Sequence, residues 1–552
     1  MAIRYLCLLL PVIVMSAQIL VDTENGKVRG KTLTSPSNKT FYAFQGIPYA
    51  VPPIGDLRFQ ATTASGKWDG IFDATKEGKS CIGADYNHNP EDQSENCLFL
   101  NIYTPSLDQS AKYPVLFWIH GGRFVAGTSK YSRYGADYLV DQGVIFVSLN
   151  YRLGPLGFLS TEDLAIPGNA GLKDQLLGLE WVNRNIEAFG GDSQKITIGG
   201  QSAGGSSCGL LVLSKKAKGL FRAAICQSGS GLEEWAIYKS PRKYAYKMAN
   251  LIDSSVTAQS HNSEQLLEFL KRRSASSIIH ATGTLGATEP KEDFALSPNI
   301  EVDHEGALLS EFPYELMRRG DFNQVPLLMG ITSEEFLLFA GQPGRLESDA
   351  ERLDTIPDYC YPYHFVPKDG ANETEIVKYI KDMYLAKGRK FSDNLYDVVR
   401  FRSDQTFNRG VIKHAEMQSK FTDVYFYQFS FKGSLNRHSF DMLGGESKCA
   451  HGDDLAYLFI RDSNPEKGDG ADELTTKRMV RMWTNFVKYL NPTPDQSDEL
   501  LQNLHWPKVK PDRFPYVNIG SNLEVLENPK SEMYSKWNHV FHTWHRQPFK
   551  TF

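Results

Sequence analysis

A serine within a glycine-rich pentapeptide is the first candidate for chemistry in this sequence. Ser202 lies in Gly200-Gln201-Ser202-Ala203-Gly204, after a short β-branched run and before a helix-like segment. The glycines permit a strained turn between a strand and a helix, which would lift the serine hydroxyl clear of the sheet. The start of the helix adds partial positive charge where an oxyanion could form. The pattern therefore indicates a nucleophilic serine.

A second glycine-rich turn follows another apolar run. His120-Gly121-Gly122-Arg123 comes directly after residues 114–119. Such a turn leaves backbone N–H groups free to face a ligand, and with the N–H of Ala203 it could form an oxyanion hole. One such donor contributes about 3 kcal/mol in a transition state. The two turns together predict attack of a hydroxyl on a carbonyl carbon.

The segments around these turns alternate between strand-like and helical patterns. Near-continuous apolar runs at 114–120 and 143–150 have the length of strands that are buried on both faces. Residues 171–189 place apolar side chains at helical spacing, and residues 195–199 form another strand-like run before the serine turn. This order predicts an α/β sheet with crossover helices. Further along, residues 475–489 are predicted to form an amphipathic helix after a polar loop at 467–473.

The first 17 residues have the pattern of a secretory signal peptide. Arg4 precedes the apolar run 5–15, and Ser16 and Ala17 offer small residues for cleavage. A buried N-terminal strand is the alternative interpretation. No later segment has 18 apolar residues in a row, so we expect no membrane anchor and a secreted, extracellular protein.

Export would permit disulfide bonds. Cys81 and Cys97 flank a polar loop and are the natural pair. A bond between Cys360 and Cys449 is possible. Two more cysteines lie in apolar stretches that are typical of buried thiols, Cys208 and Cys226.

Composition limits the classes of partner. The 552 residues include 60 Lys and Arg against 65 Asp and Glu, a net charge of −5, so no basic excess is present to neutralise nucleic acid. Cysteines and histidines do not have the spacing of zinc ligands, and we expect neither a metal nor a cofactor. Asn38 and Asn372 begin Asn-x-Thr sequons and are predicted glycosylation sites.

Further motifs make the chain resemble the type-B carboxylesterases, the cholinesterase-like branch of the α/β-hydrolase family. The similarity covers nearly all of the chain after residue 17. Besides the two turns, it rests on residues 44–50, 52–59, 95–101, 150–154, 171–175 and 227–230. The resemblance implies the α/β-hydrolase fold, with a large, mostly parallel central sheet flanked by helices, in a single domain over residues 18–552.

The resemblance also implies which residue is the catalytic acid. The family acid follows a buried strand, for which residues 325–330 are the match, and Glu335 aligns with it. Phe336 stands where the family usually has glycine, so Glu334 remains an alternative.

The catalytic base is assigned in the same way. The family histidine begins a His-Gly-acid-acid segment, which matches residues 451–454, so His451 would be the base. His120 is its main rival, although in this family that position supports the oxyanion turn. The order Ser202, Glu335, His451 along the chain is that of α/β-hydrolases. The oxyanion donors would be the N–H groups of Gly122, Arg123 and Ala203.

Three supporting features also follow from the resemblance. Arg58 with Glu95 and Arg152 with Asp174 would be structural ion pairs of the scaffold. Ser228 would support the catalytic acid. Arg123 departs from the family, which usually has glycine or alanine there, and its long cation would narrow or charge the pocket.

The resemblance implies a secreted serine carboxylesterase that works through an acyl-enzyme. The Gly-Gln-Ser-Ala-Gly turn is similar to those of insect juvenile hormone esterases, general insect esterases and antennal odorant-degrading esterases, although Lys448 departs from the first group. We expect a small, hydrophobic, uncharged ester: a xenobiotic, an odorant or pheromone acetate, or an ester of juvenile hormone type. No tryptophan lies between Cys81 and Cys97 to bind a choline group, so acetylcholine is not expected.

Three other interpretations remain open at this level. The chain could be a catalytically silent adhesion protein of the same fold, a protein that sequesters esters without turnover, or a neutral lipase.

Overall fold

The structure is a computed structural model that describes residues 18–84, 89–288, 296–436, 448–462, 468–495 and 497–552. The predicted signal peptide, residues 1–17, lies outside these described residues, as does part of the predicted polar loop at 467–473. Within the described ranges the strands are β1 (Leu20–Thr23), β2 (Gly26–Arg29), β3 (Lys31–Thr34), β4 (Thr40–Pro48), β5 (Ile71–Asp73), β6 (Ser80–Cys81), β7 (Gln93–Ser94), β8 (Phe99–Thr104), β9 (Tyr113–Ile119), β10 (Ile145–Leu149), β11 (Gly191–Gln201), β12 (Ala223–Gln227), β13 (Leu327–Thr332), β14 (Val424–Phe429), β15 (Pro515–Ile519) and β16 (Leu523–Glu527).

Helices connect and cover these strands. The helices in the same ranges are α1 (Asp137–Asp141), α2 (Gly154–Phe158), α3 (Ala170–Asn185), α4 (Ala203–Leu213), α5 (Pro241–Ile252), α6 (Ser263–Lys271), α7 (Ala275–Thr288), α8 (Pro313–Arg319), α9 (Arg345–Thr355), α10 (Glu373–Asp382), α11 (Leu395–Ser403), α12 (Arg409–Gln418), α13 (Gly470–Tyr489) and α14 (Ser531–Trp544).

Eleven of the described strands form the main sheet, in the order β16-β15-β14-β13-β12-β11-β9-β10-β8-β4-β3. The strands from β15 to β10 all run parallel, whereas the pairings at the two edges are antiparallel. Parallel pairing requires crossover connections, and the helices between the strands supply them. The fold is the α/β-hydrolase fold, with a large, mostly parallel sheet flanked by helices, as the sequence predicted.

Both faces of the sheet are buried, which explains the near-continuous apolar runs in the sequence. Along β9, Leu116 and Trp118 face one apolar cluster, whereas Val115, Phe117 and Ile119 face the other. Successive side chains of a strand point to opposite faces, so a strand covered on both sides needs apolar residues at every position.

The predicted elements agree with the structure except at some boundaries. The strand predicted at 195–199 extends over the whole of β11. Helix α13 begins at Gly470, earlier than predicted, so the interpretation of residues 470–473 as a loop was wrong. The reason is the N-cap, because Asp469 accepts hydrogen bonds from Ala471 N and Asp472 N and forms a capping box with Asp472.

Covalent and ionic links tie the loops to this scaffold. A disulfide joins Cys81 and Cys97. Arg152 binds both carboxylate oxygens of Asp174 at 2.7 Å, and Arg58 forms the second expected ion pair with Glu95. The other cysteines among the described residues are free and buried, so the possible bond between the last two is not formed: Cys208, Cys226, Cys360 and Cys449.

The sheet brings together the segments that carry the predicted chemistry. The glycine-rich turn at 120–123 follows β9, Ser202 follows β11 and Glu335 follows β13. These strands are parallel and lie within four positions of one another in the sheet, so their carboxyl ends meet at one edge. In open α/β sheets this edge is where ligands bind.

Candidate active site

Ser202 occupies a strained turn between β11 and α4. Its backbone has φ 59° and ψ −126°, a region that non-glycine residues rarely adopt. The turn is held by Ser202 N, which donates to Gln227 O at 2.8 Å, and by Ser206 N, which donates to Ser202 O at 2.8 Å. A Cβ atom at Gly204 would lie 1.9 Å from Ile119 O, so only glycine permits this close approach. Strain at this position is the expected signature of a nucleophile turn.

Glu335 and His451 form a hydrogen-bonded pair. Nδ1 of His451 lies 2.6 Å from Oε2 of Glu335, which is fully buried. The other carboxylate oxygen, Oε1, accepts a hydrogen bond from Thr332 N at 2.7 Å. A carboxylate can only accept, so it places the proton of a neutral imidazole on Nδ1 and leaves Nε2 as a proton acceptor.

The alternative acid points elsewhere. Glu334 accepts a hydrogen bond from the hydroxyl of Tyr396 at 3.2 Å, while its N–H donates to Cys449 O. The structure therefore brings Glu335, and not Glu334, to the imidazole of His451.

The rival histidine has no acidic partner among the described residues. His120 is buried, with Nδ1 donating to Gly121 O at 2.8 Å, and its ring stacks on Tyr151. Burial lowers the pKa of His120 to about 4, so the ring is neutral at physiological pH. Its contacts hold the glycine-rich turn in place.

The glycine-rich turn at 120–123, the predicted oxyanion turn, lies directly against Ser202. A Cβ atom at Gly121 would lie 3.0 Å from Cβ of Ser202. Gly122 and Arg123 follow with φ of 119° and 57°. Both line the same cavity as Ser202, and Ala203 is the first residue of α4, whose N–H has no acceptor within the helix. The three residues predicted to supply oxyanion donors therefore lie in the two turns that flank the Ser202 hydroxyl.

A cavity of about 630 Å³ opens in front of this cluster. Ser202 and His451 lie in its wall, together with large apolar side chains, among them Leu153, Trp235, Leu338, Phe339, Phe407 and Leu455. Basic and acidic residues also line it, namely Arg123, Lys130, Arg133, Arg461 and Asp92. The cavity wall thus combines large apolar side chains with several charged ones, and Arg123 belongs to the glycine-rich turn beside Ser202.

Gln201 makes a contact that the sequence did not predict. Its side-chain Nε2 lies 2.9 Å from Nε2 of His451. Within the described part of the chain, no hydrogen bond joins the hydroxyl of Ser202 to that imidazole nitrogen. The only available signal was the position of Gln201 beside the nucleophile.

Phe407 is a second residue that sequence reasoning missed. Its ring lies against the ring of His451, with 4.5 Å between centroids. Phe407 belongs to a π-helical turn, Asp404–Asn408, inserted between α11 and α12. Such turns are rare and often occur at functional sites. No local sequence pattern marks this turn.

Two buried acids, Asp454 and Glu233, interact electrostatically with the Glu335–His451 pair. Asp454 accepts hydrogen bonds from Gln227 Nε2 and from the Tyr427 hydroxyl, each at 2.8 Å, and burial raises its pKa. Burial also raises the pKa of Glu233 to about 7. The hydroxyl of Ser228 has no hydrogen-bond partner among the described residues, so the structure shows no contact through which it would support the acid.

The two predicted glycosylation sites are both exposed. Asn38 lies between β3 and β4, and Asn372 is the N-cap of α10. Across the part of the chain that the structure describes, no helix combines the length and the apolar composition needed to cross a bilayer.

A family model described as "Carboxylesterase family" matches residues 17–537. Juvenile hormone esterase of Tribolium castaneum is 33% identical over 533 residues, which cover 92% of this chain and 88% of that protein. Venom carboxylesterase-6 of Apis mellifera is 30% identical over 541 residues, with 94% of each chain covered. Esterase E4 of Myzus persicae is 31% identical over 525 residues, with 92% of each covered.

A solved structure shares the architecture. The crystal structure of juvenile hormone esterase from Manduca sexta, with OTFP covalently attached, superposes with a TM-score of 0.83 and 29% identity. The similarity covers 95% of this chain and 100% of that chain.

Proposed function

The chain belongs to the carboxylesterase family, and we propose that it is a secreted serine carboxylesterase in which Ser202, Glu335 and His451 form the catalytic triad. Membership of this family and similarity to esterases identify the chain as a carboxylic ester hydrolase. The observation that carries the proposed mechanism is the 2.6 Å contact between Glu335 and His451, in the cavity that Ser202 also lines.

The proposed reaction proceeds through an acyl-enzyme. His451 takes the proton of the Ser202 hydroxyl as the oxygen attacks the ester carbonyl, and Glu335 stabilises the imidazolium that forms. The N–H groups of Gly122, Arg123 and Ala203 stabilise the oxyanion. The imidazolium protonates the leaving alcohol, and water then repeats the cycle on the acyl group.

The substrate is proposed to be a small, hydrophobic and uncharged ester. The apolar side chains of the cavity would bury the acyl and alcohol parts of the ester. Burial against such side chains favours a substrate that is itself apolar. Xenobiotic esters, odorant or pheromone acetates and esters of juvenile hormone type are the candidate classes.

Secretion is part of the same proposal. The disulfide between Cys81 and Cys97 favours an oxidising compartment, and the exposed Asn38 and Asn372 could be glycosylated there. Residues 18–552 are proposed to form a single domain, since the carboxyl end packs on the central region, where Phe552 N donates to Leu232 O at 2.9 Å.

The test is hydrolysis by Ser202→Ala over a panel of esters. Activity should fall to the background rate, and a fluorophosphonate probe should label the parent protein but not the variant. Ser310→Ala, at an exposed site, is the matched control and should behave as the parent does. Equal hydrolysis by the parent and Ser202→Ala ends the proposal.

The same panel separates the alternatives. A parent protein that binds esters but turns none over would be a sequestering protein, and one that neither binds nor hydrolyses them fits an adhesion role. Faster hydrolysis of long-chain than of short-chain acyl esters indicates a lipase.

A further inference from the structure

The side chain of Gln201 is held between two functional loops. Gln201 ends β11, where its backbone pairs with Gln227 of β12. A Cβ atom at Gly121 would lie 3.1 Å from Oε1 of Gln201, and one at Gly452 would lie 3.4 Å from its Nε2. The amide therefore fills the space between the oxyanion turn and the loop of His451, and it is only 6% exposed.

The hydrogen-bond roles at this contact follow from the other side of the imidazole. Glu335 accepts a hydrogen bond from the Nδ1–H of His451, so Nε2 of the neutral ring carries a lone pair. The nitrogen of an amide can only donate. At 2.9 Å, Gln201 therefore donates to the lone pair that must receive the proton of Ser202.

A hydrogen bond to one form of a titrating group favours that form. The amide of Gln201 stabilises the neutral, proton-accepting imidazole, and the carboxylate of Glu335 fixes its tautomer. An amide also has an acceptor oxygen, so rotation of the side chain would let Oε1 accept from the Nε2–H of the imidazolium later in the cycle. A methionine or leucine side chain can do neither.

We infer that Gln201 is a positioning residue that keeps His451 in its neutral, proton-accepting form until the Ser202 hydroxyl replaces the amide. The inference rests on the proposed function, because it assumes that His451 is the base. Gln201 acts through His451 and does not itself exchange a proton with the substrate.

Other charged groups around His451 stay unchanged in the test. Glu335 contacts Nδ1, and Asp454 lies close enough to interact electrostatically with the imidazole. Glu233 interacts in the same way with Glu335, and Arg123 lines the same cavity. A shift of the pH profile in a Gln201 variant can therefore be assigned to the contact between Gln201 and His451.

The experiment is the pH profile of kcat/KM for one uncharged ester with three variants. Gln201→Met and Gln201→Leu remove the amide, and the acid limb should move to higher pH by about half a unit, as expected for the loss of one neutral hydrogen bond. Gln201→Glu places a carboxylate beside the imidazole and should move the limb upwards by about one unit or more. On the alkaline plateau all three variants should remain active.

Gln142→Glu, at the end of α1 and outside the site, controls for the added charge and should leave the profile in place. An unmoved acid limb in the folded apolar variants, with activity lower at every pH, would mean that Gln201 only supports the loops and overturns the inference. If neither apolar variant folds, the test falls to Gln201→Glu. An acid limb of its kcat/KM profile that stays in place would also overturn the inference. Failure of the proposed function is seen separately, as hydrolysis retained by Ser202→Ala.

Discussion

The ring of Phe407 covers one face of the imidazole of His451, with 4.5 Å between centroids. The π-helical turn Asp404–Asn408 presents this ring, and Trp235 supports the turn by donating from Nε1 to Thr406 O at 2.8 Å. An aromatic ring packed against an imidazole limits the orientations that the imidazole can adopt. Phe407 thus connects the segment between α11 and α12 to the proposed base, His451.

Replacement of Phe407 should therefore slow catalysis without abolishing it. Phe407→Leu keeps most of the apolar volume but removes the aromatic face, and kcat/KM should fall about 2- to 10-fold, the range expected for one aromatic contact. Phe421→Leu, at a partly exposed surface site, is the control and should leave kcat/KM unchanged. Equal kinetics in the two variants would show that Phe407 serves packing alone.

The two adjacent glutamates give a sharp test of the catalytic acid. In Glu335→Gln the side chain can donate a hydrogen bond to Nδ1 of His451, which favours the wrong tautomer, and kcat should fall by about 10⁴-fold. Glu334→Gln alters the contact with the Tyr396 hydroxyl and removes a charge that interacts with Asp404, but neither contact reaches His451, and its kcat should stay close to that of the parent. Steady-state kinetics of both variants on one ester measure the difference, and a larger loss in Glu334→Gln would reverse the assignment.

Glu233 should make stability depend on pH. Its Oε2 accepts from Ser230 N and from the Ser230 hydroxyl, but Oε1 has no partner among the described residues, and burial raises its pKa to about 7 from the ordinary value of 4.5. The folded state holds this proton more tightly than the unfolded state does. The stabilising contribution is therefore fully present below about pH 4.5 and is lost as the pH rises through about 7.

Glu233→Gln removes this dependence. Relative to the parent, its free energy of unfolding should rise by on the order of 2–3 kcal/mol between pH 4.5 and pH 8. Denaturant unfolding at both pH values measures the change. Glu351→Gln, on the exposed face of α9, should show the same pH dependence as the parent, and the same result for Glu233→Gln would contradict the prediction.

The buried ion pair between Arg152 and Asp174 should contribute far more to the free energy of unfolding than an exposed ion pair does. Asp174→Asn leaves the guanidinium of Arg152 buried without its partner, and the free energy of unfolding should fall by about 3–5 kcal/mol. Asp22→Asn breaks an exposed pair with Lys27 and should change stability little, because water screens that pair. Chemical denaturation of both variants is the measurement, and similar losses would refute the contrast.

Local sequence patterns were sufficient to predict the class of fold and to indicate Ser202 as the candidate nucleophile. Ser202 could be found because a strained turn between a strand and a helix requires glycines at short spacing. The buried strands could be found because a sheet covered on both faces needs apolar residues at successive positions. Both requirements act within a few residues, so they leave a readable pattern in the sequence.

Contacts between distant parts of the chain were decided only by the tertiary structure. Gln201 and His451 are 250 positions apart, and Glu335 and His451 are 116 positions apart. Which of two adjacent glutamates reaches the imidazole depends on the turn after β13, and Phe407 reaches it only through a π-helical turn. Such contacts arise where separate loops meet at the edge of the sheet, and no local pattern of residue types encodes where those loops meet.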